Sequence, residues 1–196
     1  SMITRRRESK EHGFSGSQTA KWVHQIAQGI GELHRLRILH RDLKPSNVFI
    51  DGHGRALIGD FGQSEQRLAK RRHARGEEKD VYYIAPEART SNNFSNKSDV
   101  WSLGVIMLEL LTLSCISTAG QLRELETRQS KYTMQLLLNL LSPYPSKRPS
   151  AYRIVQFVWN HYAIDLRARV SRVMYAIGTD DRGYLTSKLI QSFLEK

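Results

Sequence analysis

Cysteine is nearly absent: Cys115 stands alone, so no internal disulfide can form and the fold must rest on its core. That scarcity points to an intracellular, reducing compartment. No apolar run is long enough to span a bilayer, because the longest, Val100 to Leu113, is interrupted by Ser102, Glu109 and Thr112. It reads as a buried helix, and no membrane partner is expected. No secretory leader is visible at the start, which again favours a cytoplasmic setting. Acidic residues are few, 19 against 30 Lys and Arg, leaving a net charge of +11. Such a balance attracts acidic partners, yet no recognised nucleic-acid module accompanies it, so scattered surface bases are the better reading and nucleic-acid binding is disfavoured.

What is present is concentrated between Ile38 and Gly62. Two short loops, His40-Arg41-Asp42-Leu43-Lys44-Pro45-Ser46-Asn47 and Asp60-Phe61-Gly62, hold two carboxylates, a lysine and a carboxamide. Between them, Asn47 to Ile50 and Ala56 to Ile58 read as short strands joined by the turn-formers Asp51-Gly52-His53-Gly54. A hairpin brings the loop before it and the loop after it to one end of the ribbon. Asp42, Lys44, Asn47 and Asp60 are therefore expected to converge. The set suits phosphoryl transfer, in which catalysis is mostly positioning and neutralisation of charge on phosphate oxygens. An aspartate can orient a hydroxyl and accept its proton, a lysine can hold the phosphate, and oxygen ligands suit Mg2+.

These segments resemble the catalytic loop and the magnesium loop of eukaryotic protein kinases, serine/threonine type. The resemblance gains weight from the order in which Ala85-Pro86-Glu87, Ser98-Asp99-Val100-Trp101-Ser102-Leu103-Gly104 and Ser146-Lys147-Arg148-Pro149-Ser150 follow. It implies Asp42 as catalytic base, Lys44 as the phosphate-binding lysine, and Asn47 and Asp60 as magnesium ligands, with ATP and Mg2+ as cofactors. It also implies that His40 stacks with Phe61, that Arg41 receives an activation-segment phosphate, and that Asp99 accepts hydrogen bonds from the catalytic-loop backbone. Glu87 and Arg148 are implied as a buried ion pair. The wording of the catalytic loop is similar to that of NIMA-related kinases and kinases of translation initiation factor 2.

Along the rest of the chain, residues 1–16 read as the tail of a linker or insertion. Ser17 is a plausible cap for a helix whose buried face carries Trp22, Val23, Ile26, Ile30, Leu33 and Leu36. His24 and His34 are expected on it as ordinary surface or packing residues. Gln63 to Ile84 occupies the place of an activation segment and is strongly basic, a solvated loop that also admits nuclear import. Gln121 to Glu126, Tyr132 to Leu141 and Ala151 to Tyr162 read as further helices, and residues 163–196 as a helical extension. Its Gly178 to Leu189 stretch faintly resembles a calcium loop but lacks two essential carboxylates, at the first and twelfth positions.

The expected fold is mainly α with a small β-hairpin, the kinase C-lobe over residues 17–162 with no N-lobe in this chain. No glycine-rich loop or Val-Ala-Ile-Lys strand precedes residue 17, so either an upstream lobe lies outside the chain or the product is catalytically silent. The retained Asp42, Lys44, Asn47 and Asp60 favour the first, a kinase acting on protein Ser/Thr hydroxyls. The alternative is a pseudokinase or scaffold whose extension engages a protein partner. Asp80 favours it: it stands where kinases usually carry a threonine between the catalytic aspartate and lysine, and a second carboxylate there would compete for Lys44.

Overall fold

The computed structural model describes residues 13–60, 78–114 and 119–161, with the backbone alone given for 78–80 and 119–122. The chain divides into two compact units, Ser1–Trp159 and Asn160–Lys196. Of the second, only residues 160 and 161 are described, so the expected extension over 163–196 lies outside the described residues. Among its described residues the first unit is largely helical, with one two-stranded antiparallel sheet. None of the described helices is long and apolar enough to cross a membrane.

Helix α1 spans Gly16–Arg35 and starts slightly earlier than the Ser17 cap expected from sequence. Ser15 is the cap: its backbone is extended and its hydroxyl accepts from the Gln18 amide at 3.2 Å. Ahead of it, Phe14 is buried, edge-on to Trp22, and its amide donates to the Leu110 carbonyl at 2.8 Å, so packing reaches into the residues read as linker. Trp22, Val23, Ile26, Ile30 and Leu33 form the expected buried face. Leu36 does not join them. The helix has ended, Leu36 is its C-cap, and the side chain is 57% exposed.

Strands β1 (Val48–Ile50) and β2 (Ala56–Ile58) pair in the register Val48↔Ile58, Phe49↔Leu57 and Ile50↔Ala56. Asn47 precedes β1 in a 3-10 turn, Pro45–Asn47, rather than in the strand itself. The turn closing the hairpin is organised by Asp51, whose carboxylate accepts from the His53 and Arg55 amides, each at 2.9 Å, and from Arg55 Nε at 2.7 Å. The Arg55 amide and guanidinium hold Asp51 below the usual carboxylate range. Gly54 takes φ +73, open to glycine at little strain. Two side chains of α1 then pin the ribbon: Trp22 Nε1 donates to the Gly54 carbonyl at 3.0 Å, and Gln25 Oε1 accepts from the Ala56 amide at 2.9 Å.

After a 3-10 stretch, Glu78–Tyr83, come α2 (Pro86–Ser91) and α3 (Asn96–Thr112). Helix α3 opens with a capping box between Ser95 and Ser98. It is the centre of the unit: from Ser98 to Leu111 every residue but Trp101 is buried. That all-round burial matches an apolar sequence with little helical periodicity. Helices α4 (Ala119–Arg128) and α5 (Lys131–Leu140) follow, then the 3-10 turn Pro145–Lys147 and α6 over residues 151–161. Gly104 lets α5 lie close to α3, since a Cβ there would sit 2.9 Å from Leu140 Cβ.

Candidate active site

Leu39 to Asn47 leads from the end of α1 into β1 without regular structure until Pro45 sets the 3-10 turn. Its shape is dictated from α3. Asp99, in the first turn of that helix and 1% exposed, accepts from the His40 amide at 3.0 Å and the Arg41 amide at 2.9 Å. A carboxylate is well suited to the positive end of a helix dipole, so its burial there is tolerated. Arg41 is consequently held at φ +62, a left-handed conformation that a non-glycine residue adopts at a cost of about 1–3 kcal/mol. The Asp42 amide closes the turn on the His40 carbonyl at 2.8 Å. The role implied for Asp99 is thus visible as geometry.

Asp42 is 8% exposed and its carboxylate lies between two neighbours. Lys44 Nζ stands 4.0 Å from Oδ1, and Asn47 Nδ2 donates to Oδ2 at 3.2 Å and to the Asp42 carbonyl at 2.6 Å. Asn47 is itself 4% exposed, which fixes its carboxamide against the loop. Across the ribbon, the Gly59 amide donates to the Asn47 carbonyl at 3.0 Å. Asp60 follows immediately at φ +61 with its side chain exposed. The hairpin therefore joins the two loops at one end, as its register requires: Lys44 and Asn47 each reach Asp42, and Asp60 is one residue beyond the backbone bond that ties its loop to theirs. A Cβ at Gly59 would meet the edge of the Phe49 ring at 2.8 Å, so that exposed side chain would have to shift.

The donor set fits a magnesium ion held partly by phosphates. Asn47 and Asp60 offer hard oxygens, and magnesium is commonly held by one or two carboxylates plus a nucleotide instead of a protein cage. Among the described residues, no cluster of three or more His, Cys, Asp or Glu side chains is placed to hold a metal ion. Phe61, the expected stacking partner of His40, lies outside the described residues, as do the activation-segment bases through residue 77 and the side chain of Asp80.

Below the loop, Glu87 and Arg148 make the implied pair. Arg148 Nη1 donates to Glu87 Oε1 at 2.7 Å and Nη2 to Oε2 at 2.9 Å, a bidentate fork. Burial alone would raise the Glu87 carboxyl, but the Arg148 hydrogen bonds and charge, with Ser98, outweigh it and hold it below the usual range. Sequence reasoning missed several ties. His34 bonds Asp99, Tyr83 Oη donates to the buried Glu109, and Trp101 Nε1 donates to the Tyr82 carbonyl at 3.1 Å. Each joins residues 19 to 65 positions apart, beyond what periodicity reveals.

Comparison with known proteins agrees with this geometry. The protein kinase domain family matches residues 2–160. Serine/threonine-protein kinase Nek3 of Mus musculus is 32% identical over 162 residues, 76% of this chain and 32% of its own length. Nek1 of Mus musculus is 30% identical over 93% of this chain and 13% of its own length, and polo of Drosophila melanogaster is 34% identical over 69% and 26%. The chain thus spans a third or less of the length of these relatives. A catalytic loop anchored by Asp99, a Glu87–Arg148 fork and a match over most of the sequence lead to one assignment: the chain belongs to the eukaryotic protein kinase family, serine/threonine type.

Proposed function

We propose that the protein to which this chain belongs transfers the γ-phosphate of ATP to serine or threonine hydroxyls of a protein substrate. The observation that carries the reading is the convergence of Asp42, Lys44 and Asn47 on a loop whose backbone is fixed by Asp99. Asp42 orients the substrate hydroxyl and accepts its proton as the oxygen bonds to the γ-phosphorus and the bond to the ADP oxygen breaks. Lys44 holds the transferred phosphate and offsets charge on its oxygens. Asn47 and Asp60 would hold Mg2+, which supplies charge neutralisation along the phosphates when bound. The side chains of Phe49 and Leu57, 54% and 52% exposed, give the hairpin an apolar surface for a nucleotide base.

The test is ATP-dependent phosphorylation of a protein substrate by the parent protein and its Asp60→Ala variant. Transfer is expected to fall by about 100-fold or more, as when an electrostatic stabiliser is removed from an active site. Equal transfer by both would overturn the assignment of Asp60.

A second reading, a scaffold that binds a protein partner without catalysis, is favoured by Asp80 in the place of the usual threonine. The two readings separate on Asp80→Thr. If Asp80 restrains an active enzyme by competing for Lys44, kcat rises by about tenfold, worth about 1.4 kcal/mol, once that competition is removed. A rate that stays at the uncatalysed level in both forms supports the scaffold.

A further inference from the structure

We infer that the outer face of α6 docks an amphipathic helix of a partner protein, one with a ridge of large apolar side chains and an acidic flank. The inference is independent of phosphate transfer. Helix α6 packs into the lobe through Ala151, Ile154 and Val158, all buried. A helix with one face so committed is ordinarily polar on the other. Here the other face carries Tyr152 and Trp159, 68% and 63% exposed, the two most open aromatic side chains among the described residues. Their spacing puts them on one stripe, two turns or about 10 Å apart, with Gln156 between them.

Both rings are already held in place. Gln156 Nε2 donates to Tyr152 Oη at 2.9 Å, and the Trp159 ring is tilted against His24 of α1, with 6.2 Å between centroids. Exposed aromatics fixed in this way lose little side-chain freedom when a partner covers them. Large rings dominate interface energetics, and a stripe two turns long matches the i, i+4, i+7 ridge that a helix presents. Charge then selects the partner. Residues 151–161 contain no Asp or Glu, and Arg153 stands exposed beside the stripe. Its charge reaches Lys97 of α3, whose ammonium is held below the usual lysine range by burial first and by Arg153 and Arg148 after it. Among the described residues neither Arg153 nor Lys97 pairs with a carboxylate. An acidic flank on the incoming helix relieves this cationic edge, and a basic flank is repelled by it. A second copy of the chain would bring a further net charge of +11 toward Arg153, which disfavours self-pairing. One arginine and a partly buried lysine are also too few for an anionic bilayer, whose attraction accumulates over several cations.

Acrylamide quenching of tryptophan fluorescence in the full chain tests the surface, because Trp22 is buried, Trp101 partly buried and Trp159 open. The Trp159→Phe variant supplies the signal of the other two. The probe is a helical peptide with leucines at i, i+4 and i+7 and glutamates along one flank; its control carries lysines there. The glutamate peptide is expected to shield Trp159 and to bind about tenfold more tightly than the lysine peptide, with the order reversed in Arg153→Glu. Tyr152→Ser should weaken binding about tenfold while leaving thermal unfolding unchanged. Equal binding of the two peptides, or binding that Tyr152→Ser and Arg153→Glu leave unaltered, overturns the inference. So does a Trp159 that the quencher fails to reach in the chain alone: shielding that grows with protein concentration assigns the face to a second copy, and shielding independent of concentration assigns it to another segment of this chain. Shielding by phosphatidylserine vesicles and not by the glutamate peptide assigns it to a membrane instead.

Discussion

Arg148→Ala is expected to lower the unfolding free energy by about 3–5 kcal/mol, the loss typical of a buried ion pair stripped of one partner. Arg148 is 1% exposed and engages four of its five N–H donors: Nε on the Ser142 carbonyl at 2.8 Å, Nη1 on Glu87 and the Lys97 carbonyl, Nη2 on Glu87. Its guanidinium also lies 5.0 Å from the Trp101 ring centroid, and Lys97 Nζ donates to the Arg148 carbonyl. Truncation leaves Glu87 charged without its partner and frees two carbonyls. For a domain of ordinary stability, about 5–15 kcal/mol, such a loss consumes a large part of the whole. Urea unfolding measures it, and the double variant Arg148→Met with Glu87→Leu separates the net value of the pair from the harm of stranding one charge. A single variant within about 1 kcal/mol of wild type would show that the fork contributes little.

The same pair sets an acid limit whose sign follows from Glu87. Its carboxyl is held below the ordinary 4.5 in the folded state, so its contribution is complete above that value and drains away as pH falls through the lower, folded one. The stability gap between wild type and Arg148→Ala should therefore be full at neutral pH and shrink below about pH 4, where protonation relieves the stranded carboxylate in the variant. A gap that widened in acid would contradict this assignment of charge.

Local chemistry made much of this fold legible. The α1 face from Trp22 to Leu33 could be read by its three- and four-residue spacing, and the hairpin by its branched strands and Asp51-Gly52 turn, because those signals are carried by neighbours in sequence. The Asp99 and Arg148 contacts could be read only through family resemblance, since no periodicity links Asp99 to His40 or Arg148 to Glu87. Cap positions were less accessible: Ser15 and Ser17 are equally good cap chemistry, and Phe14 burying against α3 decides between them. Leu36 misled because hydrophobic spacing continues one residue past the point where the helix stops. His34 was illegible for a deeper reason. A histidine on a helix looks the same whether it faces water or a carboxylate, and only the crossing of α1 with α3 puts Asp99 in front of it.

On the proposed kinase reading, Asp42→Asn is expected to reduce kcat of the parent protein by about 10²–10⁴, the range for loss of a general base, while leaving unfolding nearly unchanged. The substitution is close to isosteric. With its amide oxygen turned toward Asn47, the new side chain still accepts the bond now made at 3.2 Å, and the Asn47 bond to the residue-42 carbonyl at 2.6 Å is untouched. What disappears is the capacity to take a proton, together with the negative charge 4.0 Å from Lys44. Freed of that charge, Lys44 remains available to phosphate, so KM for ATP should hold within about twofold and the loss should appear in kcat and kcat/KM alike. This pattern separates Asp42 from Asp60, whose removal should raise the requirement for Mg2+ because Asp60 is exposed at the far loop and has no place in proton transfer. If Asp42→Asn retained kcat within about threefold, proton acceptance at this position would not limit the reaction, and the loop that Asp99 holds in strain would have to be aiming some other group.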